Sequence, residues 1–415
     1  MSPMCGGREV VARATGLAVL LTVSSAAWAD AGGSAALRVR CGDTITRSTR
    51  LTHDLACPGT NGPALRVTGA GVVLDLGGHT VRRSGPDTGL SEGILVEADS
   101  TVRNGTIRGF SWGYIVDSGQ DVRLTRLTFV DNGIAVYNRY GSFTTLTLTD
   151  CRVLRNRVGL TSEQDASNGT FVVRTSLFSG NQVVMSANWH DIEVERSTFQ
   201  SNALVFWCPY GNVTFRSSLL WRNGVVGEVP LGEFGYGACS EARFFDTVIA
   251  DNGALAPETR RAWEPLNLVI RDSWVVGNGT GLEARVRTLD VRRTQWWDNG
   301  SGLWVAEPSD YYPPSLTGEV RDNRFLRNRG DGLLVTYPGT LTVAGNMALG
   351  NQGWGINAPG VIDGGGNVAR SNGAGDCLGV ICAASAGPHL LAGPETEAPV
   401  PFIPNGGWVP VESAR

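Results

Sequence analysis

A set of acidic, aromatic and hydroxyl side chains recurs at similar intervals between residues 97 and 228 and could carry chemistry. Aligning the strand-like segments of this region places the set in one column, with one member on each consecutive turn of the chain. The column consists of Glu97, Asp117, Tyr137, Glu163, Ser186, Trp207 and Glu228. Because side chains alternate between the two faces of a strand, we expect the column to point outward, three residues after an inward apolar residue.

The middle of this column contains the groups that β-elimination from a uronate requires. Tyr137 or His190 would remove the proton next to the substrate carboxylate, and Arg139 would neutralise that carboxylate through a bidentate contact. Glu163 completes the catalytic set that we expect. Polar and flat side chains nearby would bind the sugar rings, and we assign this role to Tyr140, Asp165, Trp207 and Trp304.

Glu97 and Asp117 form a second candidate site, because they would face each other on neighbouring rungs at about 4.8 Å. Two carboxylates that close either raise a pKa or hold a cation. An oxygen-only pair suits calcium better than a transition metal. Calcium is therefore the one cofactor that the sequence suggests.

Two other functions compete with a uronate lyase or C5-epimerase. Asp117 and Glu163 would lie two rungs apart, at roughly 9 to 10 Å, which is near the upper end for the carboxylates of an inverting glycoside hydrolase. Alternatively, the exposed Glu, Tyr and Trp side chains only solvate the sheet, and the protein is a non-catalytic envelope scaffold or glycan-binding protein. The sequence leaves open whether the chain is catalytic at all.

An asparagine repeat supplies the elements that would hold these residues in place. Eleven asparagines follow one another at separations of 21 to 29 residues, and each is preceded by an apolar residue three positions earlier. The asparagines are Asn132, Asn156, Asn181, Asn202, Asn223, Asn252, Asn278, Asn299, Asn328, Asn351 and Asn372. A fixed period of this length is typical of stacked-repeat folds, in which each unit covers the apolar face of its neighbour.

The repeat unit alternates apolar and polar residues over four to six positions and is rich in Val, Thr, Phe and Leu, so it predicts short strands. We therefore predict an all-β chain that folds as a single-stranded right-handed parallel β-helix of about 13 coils. Asparagine suits the recurring corner because it tolerates the left-handed backbone region. Its amides would also bond to one another from coil to coil.

The composition changes along the chain divide it into four segments. Residues 1–29 have the charged, apolar and small-residue regions of a signal peptide, and residues 30–70 would form an N-terminal cap with the first strands. The β-helix would cover residues 71–382, and the Pro-, Gly- and Ala-rich residues 383–415 a tail. Four longer coils would place loops on one side, after Leu160, Glu228, Ala254 and Val305.

Charge and cysteine content limit the partners and the compartment. The net charge is −4 and the chain contains no lysine, which argues against nucleic acid and membrane surfaces as partners. We expect a monomer that binds a polysaccharide, is secreted or periplasmic, and does not insert into a membrane. Of the cysteines after residue 29, spacing pairs Cys41 with Cys57, Cys208 with Cys239 and Cys377 with Cys382, and leaves Cys151 as a buried residue.

Two short phrases resemble a known group of proteins. "LDLGGHT" at residues 74–80 resembles the opening coil of secreted bacterial proteins of the pectin-lyase-like, right-handed parallel β-helix superfamily, and "GDCLGVIC" at residues 375–382 resembles their ending. The resemblance implies the fold. It also implies a range of activities, because that superfamily contains lyases, hydrolases, epimerases and proteins without enzymatic activity.

Overall fold

A computed structural model describes the chain between residues 38 and 383. The description excludes residues 59–61, 87–88, 118–120, 141–143, 164–168, 187–188, 208–210, 229–238, 257–261, 264–266 and 308–315. The predicted signal peptide and tail lie outside the described residues, as does most of each of the four predicted loops. The contacts from Val39 onward form one compact unit.

The described residues form short strands, numbered β1 to β42 in chain order, and contain no helix. Three parallel sheets share them, and each turn of the chain contributes one strand to each sheet in succession. Sheet 1, which follows the asparagine corners from β11 onward, is paired in two separate runs. The first consists of β1 (Asp43–Ile45), β4 (Leu65–Val67), β7 (Glu92–Val96), β9 (Trp112–Val116), β11 (Ile134–Asn138), β14 (Val158–Ser162), β17 (Val183–Ser186), β20 (Leu204–Trp207) and β23 (Val225–Glu228). The second consists of β26 (Ala262–Trp263), β29 (Leu282–Ala284), β32 (Leu303–Val305), β35 (Leu333–Val335), β38 (Trp354–Asn357) and β41 (Gly375–Leu378).

Sheets 2 and 3 make up the other two sides of each turn. Sheet 2 consists of β2 (Thr49–Arg50), β5 (Val72–Asp75), β12 (Thr145–Thr149), β15 (Thr170–Arg174), β18 (Asp191–Glu195), β21 (Asn212–Arg216), β24 (Glu241–Phe245), β27 (Asn267–Arg271), β30 (Thr288–Arg292), β33 (Thr317–Arg321), β36 (Thr340–Ala344) and β39 (Ile362–Gly365). Sheet 3 consists of β3 (Leu55–Cys57), β6 (Thr80–Arg83), β13 (Arg152–Leu154), β16 (Leu177–Ser179), β19 (Thr198–Gln200), β22 (Leu219–Trp221), β25 (Val248–Ala250), β28 (Trp274–Val276), β31 (Gln295–Trp297), β34 (Arg324–Leu326), β37 (Met347–Leu349), β40 (Asn367–Arg370) and β42 (Cys382–Ala383). The longer β8 (Ser100–Arg108) and β10 (Asp121–Val130) belong to both.

The predicted fold is confirmed, because the strands pair in parallel with the equivalent strands of the turns before and after them. The chain is a parallel β-helix of about 12 turns, close to the predicted 13. Strand β1 already pairs with β4, and β4 with β7, in sheet 1, so the stack begins inside the segment that we assigned to the cap and first strands.

The apolar residues three positions before the asparagines fill the interior, as predicted. All are buried, from Phe129 in β10 to Ala369 in β40. Aromatic members stack on one another along the axis; the ring centroids of Phe178 and Phe199 are 4.9 Å apart with nearly parallel planes. Each turn thus covers the apolar face of the next, which is the reason for the repeat.

The predicted asparagine ladder is also confirmed. From Asn132 to Asn351, each side-chain Nδ2 donates to Oδ1 of the next asparagine at 2.9 to 3.2 Å. The same Oδ1 atoms accept the backbone N–H of the preceding asparagine, as Oδ1 of Asn223 does from Asn202 at 3.0 Å. The ladder ends where Asn372 donates to Asp376 at 2.9 Å.

The reason we gave for asparagine at this corner was incomplete. The left-handed residue is the one before each asparagine, as at Asp131, Arg155 and Ser201, whose φ values are 57°, 53° and 54°. The asparagine itself turns inward. Its amide satisfies backbone groups that the corner would otherwise leave buried without hydrogen bonds.

A second ladder, which the sequence analysis missed, lies five residues before the first in each turn. Its members are Ser176, Ser197, Ser218, Thr247, Ser273, Thr294, Asn323, Asn346 and Asn367. The serine and asparagine side-chain oxygens accept backbone N–H groups from the turn before, as Oγ of Ser197 does from Ser176 at 3.1 Å. Cys151 holds the first position of this column, where it is buried and free, in agreement with the predicted role.

The disulfides agree with the predicted pairs where both cysteines are described. Cys41 is bonded to Cys57 and Cys377 to Cys382. Cys239 is also disulfide-bonded, and Cys208, its predicted partner, lies outside the described residues. Within the described part of the chain, no helix has the length and apolarity needed to cross a bilayer.

We expect Asn202→Ala to lower the free energy of unfolding by roughly 3 kcal/mol, because it removes the acceptor of two buried donors on Asn181 and the donor to the Phe178 carbonyl. Urea unfolding followed by far-ultraviolet circular dichroism measures the change. Gln200→Ala, at a partly exposed position two residues earlier, is the matched control and should shift the midpoint little. Equal shifts for both variants would contradict the structural role of the ladder.

Candidate functional site

The predicted outward column is split into two columns that lie side by side on sheet 1. Strand register aligns Ile115, Tyr137, Thr161, Ser186, Trp207 and Glu228. One residue further along the same strands, the register aligns Val96, Val116, Asn138 and Ser162. The residues after these, Glu97, Asp117, Arg139 and Glu163, therefore form the second column, and each donates its N–H to the strand before it at 2.9 to 3.0 Å. The single column that we predicted was therefore wrong. Glu97, Asp117 and Glu163 lie two residues further along their strands than the residues that are aligned with Tyr137.

Arg139 is the centre of the second column. Its Nε and Nη2 donate to the two oxygens of Asp117 at 2.6 and 2.8 Å, and its Nη1 donates to Glu92 at 3.0 Å. The hydrogen bonds to Asp117, followed by those to Glu92, raise the pKa of Arg139 above its ordinary value. Among the described residues, these contacts use three of the five N–H groups of the guanidinium.

The calcium site that we predicted does not fit this geometry. Glu97 and Asp117 do lie on neighbouring rungs, but Glu97 is paired with Arg66 and Asp117 with Arg139. An arginine therefore neutralises each carboxylate. No group of three or more His, Cys, Asp or Glu among the described residues could hold a metal ion.

Tyr137 and Glu163 are the one predicted catalytic pair that the structure brings into direct contact. The Tyr137 hydroxyl donates to Oε2 of Glu163 at 2.9 Å, and the Trp112 ring stacks on the tyrosine with centroids 6.5 Å apart. Burial, with the hydrogen bond to Glu163 and the charge of that residue, raises the pKa of Tyr137 to about 12. The phenol is therefore a proton donor at neutral pH.

His190, predicted as a catalytic residue, does not lie on this face. It is fully buried, with Nε2 2.8 Å from Nδ2 of Asn138 and its ring 5.3 Å from the ring of Phe171. Asn138 follows Tyr137 and so points to the opposite side of the strand. The imidazole supports the interior from there and cannot contact a polymer that lies on sheet 1.

The predicted sugar-binding residues are distributed along the stack. Trp207 lies in the column of Tyr137, three rungs further on and partly exposed. Tyr140 is 65% exposed and packs against the Arg139 guanidinium at 5.4 Å. Trp304 belongs to a more distant turn, where its Nε1 donates to Oγ1 of Thr336 at 2.9 Å. Asp165 and the side chain of Glu228 lie outside the described residues.

Three residues of this surface were missed by the sequence analysis: Arg66, Glu92 and Trp112. Glu92 and Trp112 are aligned with each other on β7 and β9 and form a third outward column. A signal was present, since Glu92 precedes Glu97, and Trp112 precedes Asp117, by the same five residues. Arg66 is aligned with Leu95 on the rung before.

No protein-family model matches the chain, and no curated protein matches its sequence. One solved structure is similar, the catalytic unit of a thermostable GH87 alpha-1,3-glucanase from Streptomyces thermodiastaticus strain HF3-3, at 14% sequence identity and a TM-score of 0.35. The match covers 82% of this chain and 64% of the glucanase chain. The parallel β-helix fold of this chain follows from its own strand pairing, and no functional argument is drawn from this match.

Proposed function

We propose that the protein binds a polysaccharide along the outward face of sheet 1 and processes it at Tyr137. The observation that supports this most is the contact of Tyr137 with Glu163 at 2.9 Å, beside the stacked ring of Trp112. Trp112 and Trp207 have flat side chains on outward positions of one sheet. Such surfaces bind the apolar faces of sugar rings while hydroxyl and carboxylate groups orient them.

The charge of this face limits the polymer. Two arginines and four carboxylates give these residues a net charge of −2. They are Arg66, Arg139, Glu92, Glu97, Asp117 and Glu163. A long polyanion would be repelled along most of the surface. A neutral polysaccharide, or one with a uronate only at the Arg139 position, meets the smaller electrostatic penalty.

β-Elimination or C5-epimerisation of a uronate is the chemistry for which the residues around Tyr137 are best suited. Glu163 would remove the proton from C5 of the uronate, and the remaining N–H groups of Arg139 would bind the substrate carboxylate. The raised pKa of Tyr137 suits it to donate a proton, to the leaving oxygen in elimination or back to C5 in epimerisation. His190 has no part in this scheme, because it is buried.

An inverting glycoside hydrolase is the second candidate, favoured by the excess of carboxylates. Asp117 and Glu163 lie in one column with Arg139 between them. Two rungs correspond to roughly 9 to 10 Å, which leaves room for a water molecule between a general base and a sugar. In this scheme Asp117 would act as the base, and its contact with Arg139 would orient the carboxylate.

We further propose that the protein acts outside the cytoplasm, as a secreted or periplasmic monomer. The disulfides Cys41–Cys57 and Cys377–Cys382 support an oxidising compartment. A polysaccharide of the envelope or the surroundings would be available to it there. The predicted signal peptide is consistent with this location.

Trp112→Ala should weaken polysaccharide binding by about tenfold, or about 1.4 kcal/mol, because it removes the ring that supports Tyr137 and the sugar. Affinity electrophoresis against a panel of neutral and uronate-containing polymers identifies a ligand, and calorimetry measures the change. Trp221→Ala on sheet 3 is the matched control and should leave binding unchanged. A panel without any ligand, or equal losses in both variants, would refute the assignment of this face.

As a lyase, the protein should release products with the ultraviolet absorbance of an unsaturated uronate, and Tyr137→Phe should reduce the rate at least a hundredfold. The pKa of Tyr137 is raised to about 12, so the donor stays protonated and the rate should not fall near pH 10, where an ordinary tyrosine ionises. A pH–rate profile of the wild type tests this. A falling limb near pH 10, or full activity in Tyr137→Phe, contradicts the proposed role. For an epimerase, the ratio of epimers replaces absorbance as the readout.

As an inverting hydrolase, the protein should instead release reducing ends without that absorbance, and the new anomeric centre should be inverted. Asp117→Asn should then abolish release, whereas Asp121→Asn, at an exposed carboxylate of sheet 2, should retain it. Proton NMR of the first product gives the anomeric configuration. Retention of configuration, or unchanged release by Asp117→Asn, would exclude this scheme.

A further inference from the structure

Arginines line a cavity on sheet 3, away from the face discussed above. The cavity has a volume of about 480 Å³ and is lined by Arg82, Arg83, Ser84, Gly85, Arg108 and Gly109. These residues come from the ends of β6 and β8 and the bends that follow them. Three guanidinium groups and no carboxylate are among the described residues that line it.

Two of the arginines face each other on neighbouring rungs. Arg82 is aligned with Arg108 in the pairing of β6 with β8, so their side chains leave the sheet about 4.8 Å apart on the same side. Like charges directly opposite on paired strands are destabilising. An anion held between them would remove that repulsion, so binding and stability are coupled at this point.

The neighbouring contacts orient the guanidinium groups. Nε of Arg83 donates to the Gly109 carbonyl at 2.6 Å, which anchors this side chain across the bend. Arg108 contacts Asp131 at 3.1 Å, and the same carboxylate also accepts from Nε of Arg155 at 2.9 Å. One carboxylate is thus shared between two arginines.

Among the described residues, a second carboxylate, Asp54, also lies near Arg82, and it already has partners. It is exposed, accepts the backbone N–H of Thr80 at 3.0 Å and lies 3.3 Å from Nδ1 of His79. The charge of Arg82 contributes only the last of the effects that lower the pKa of Asp54, after the hydrogen bonds to Thr80 and His79. No salt bridge therefore joins Asp54 to Arg82 among the described residues.

We propose that this cavity binds a tetrahedral oxyanion, a singly charged sulfate ester or a doubly charged phosphate ester, carried on a sugar. Planar guanidinium groups bind such oxyanions through paired N–H···O contacts, which lysine cannot make. The volume exceeds the need of a free ion and falls in the range of small-molecule sites. Ser84 lines the same cavity, and its neutral hydroxyl would form a hydrogen bond with the sugar that carries the oxyanion. This site does not depend on the function proposed for sheet 1.

Calorimetric titration of the full chain at low ionic strength tests the site, with inorganic sulfate and phosphate as probes and chloride of equal ionic strength as the blank. Both oxyanions should bind and raise the melting temperature. Arg82→Gln should weaken binding about tenfold or more through loss of charge-assisted hydrogen bonds. Arg324→Gln, at an exposed arginine of sheet 3 that is aligned with Gln295 and Met347, is the matched control. It should bind as the wild type does.

A sulfated disaccharide and its desulfated counterpart identify the source of the oxyanion. The sulfated sugar should bind at least tenfold more tightly than inorganic sulfate, and the desulfated sugar should not bind. Equal affinity of free sulfate and the sulfated sugar would contradict the ester, as would binding of the desulfated form. Absence of oxyanion binding, or equal losses in Arg82→Gln and Arg324→Gln, would overturn the site, the latter because the attraction would then be diffuse.

Discussion

Burial of asparagine side chains is the constraint on which the rest of the structure depends. An amide that enters the interior must find partners for two donors and an acceptor, or it costs several kcal/mol. In this chain Nδ2 of Asn202 donates to Oδ1 of Asn223 one turn on and to the Phe178 carbonyl one turn back, and Oδ1 of Asn202 accepts from Asn181. Only turns stacked in parallel and in register provide all of them at once. The repeat of one residue type therefore determines the pairing of all three sheets.

The same stacking determines what the outer surface can do. Neighbouring turns place side chains about 4.8 Å apart, so a residue in one turn always has a neighbour above and below. On sheet 1 this produces the sequence Asp117, Arg139 and Glu163 in one column, with Tyr137 in the adjacent column. A rigid surface of this kind holds a proton donor and acceptor at a fixed distance, which is what a positioned general acid requires.

The sequence predicted the fold well because the ladder is periodic, and it predicted the site less well because outward positions are not constrained in the same way. Tyr137, Trp207 and Glu228 each lie five positions after the corner asparagine of their own turn, and strand register places them in one column. Asp117 and Glu163 lie seven positions after their corners, counted from Phe110 and Asn156. A two-residue error keeps a side chain on the same face of a strand, so the face was right and the column was wrong. His190 was placed outside because it follows a bend, where alternation along a strand no longer indicates direction.

The use of arginine as the only strongly basic residue follows from this geometry as well. A guanidinium can reach carboxylates in two directions at once, and Arg139 does so with Asp117 and Glu92. Arg292 on sheet 2 likewise contacts Asp290 of its own strand and Glu319 of the next. An ammonium group at these positions would lack the planar fork that makes the double contact. Where acids alternate with arginines, the surface is neutralised within the chain. Where Arg82 and Arg108 stand opposite each other with no acid of the described residues between them, the same geometry leaves a charge that an external anion can satisfy.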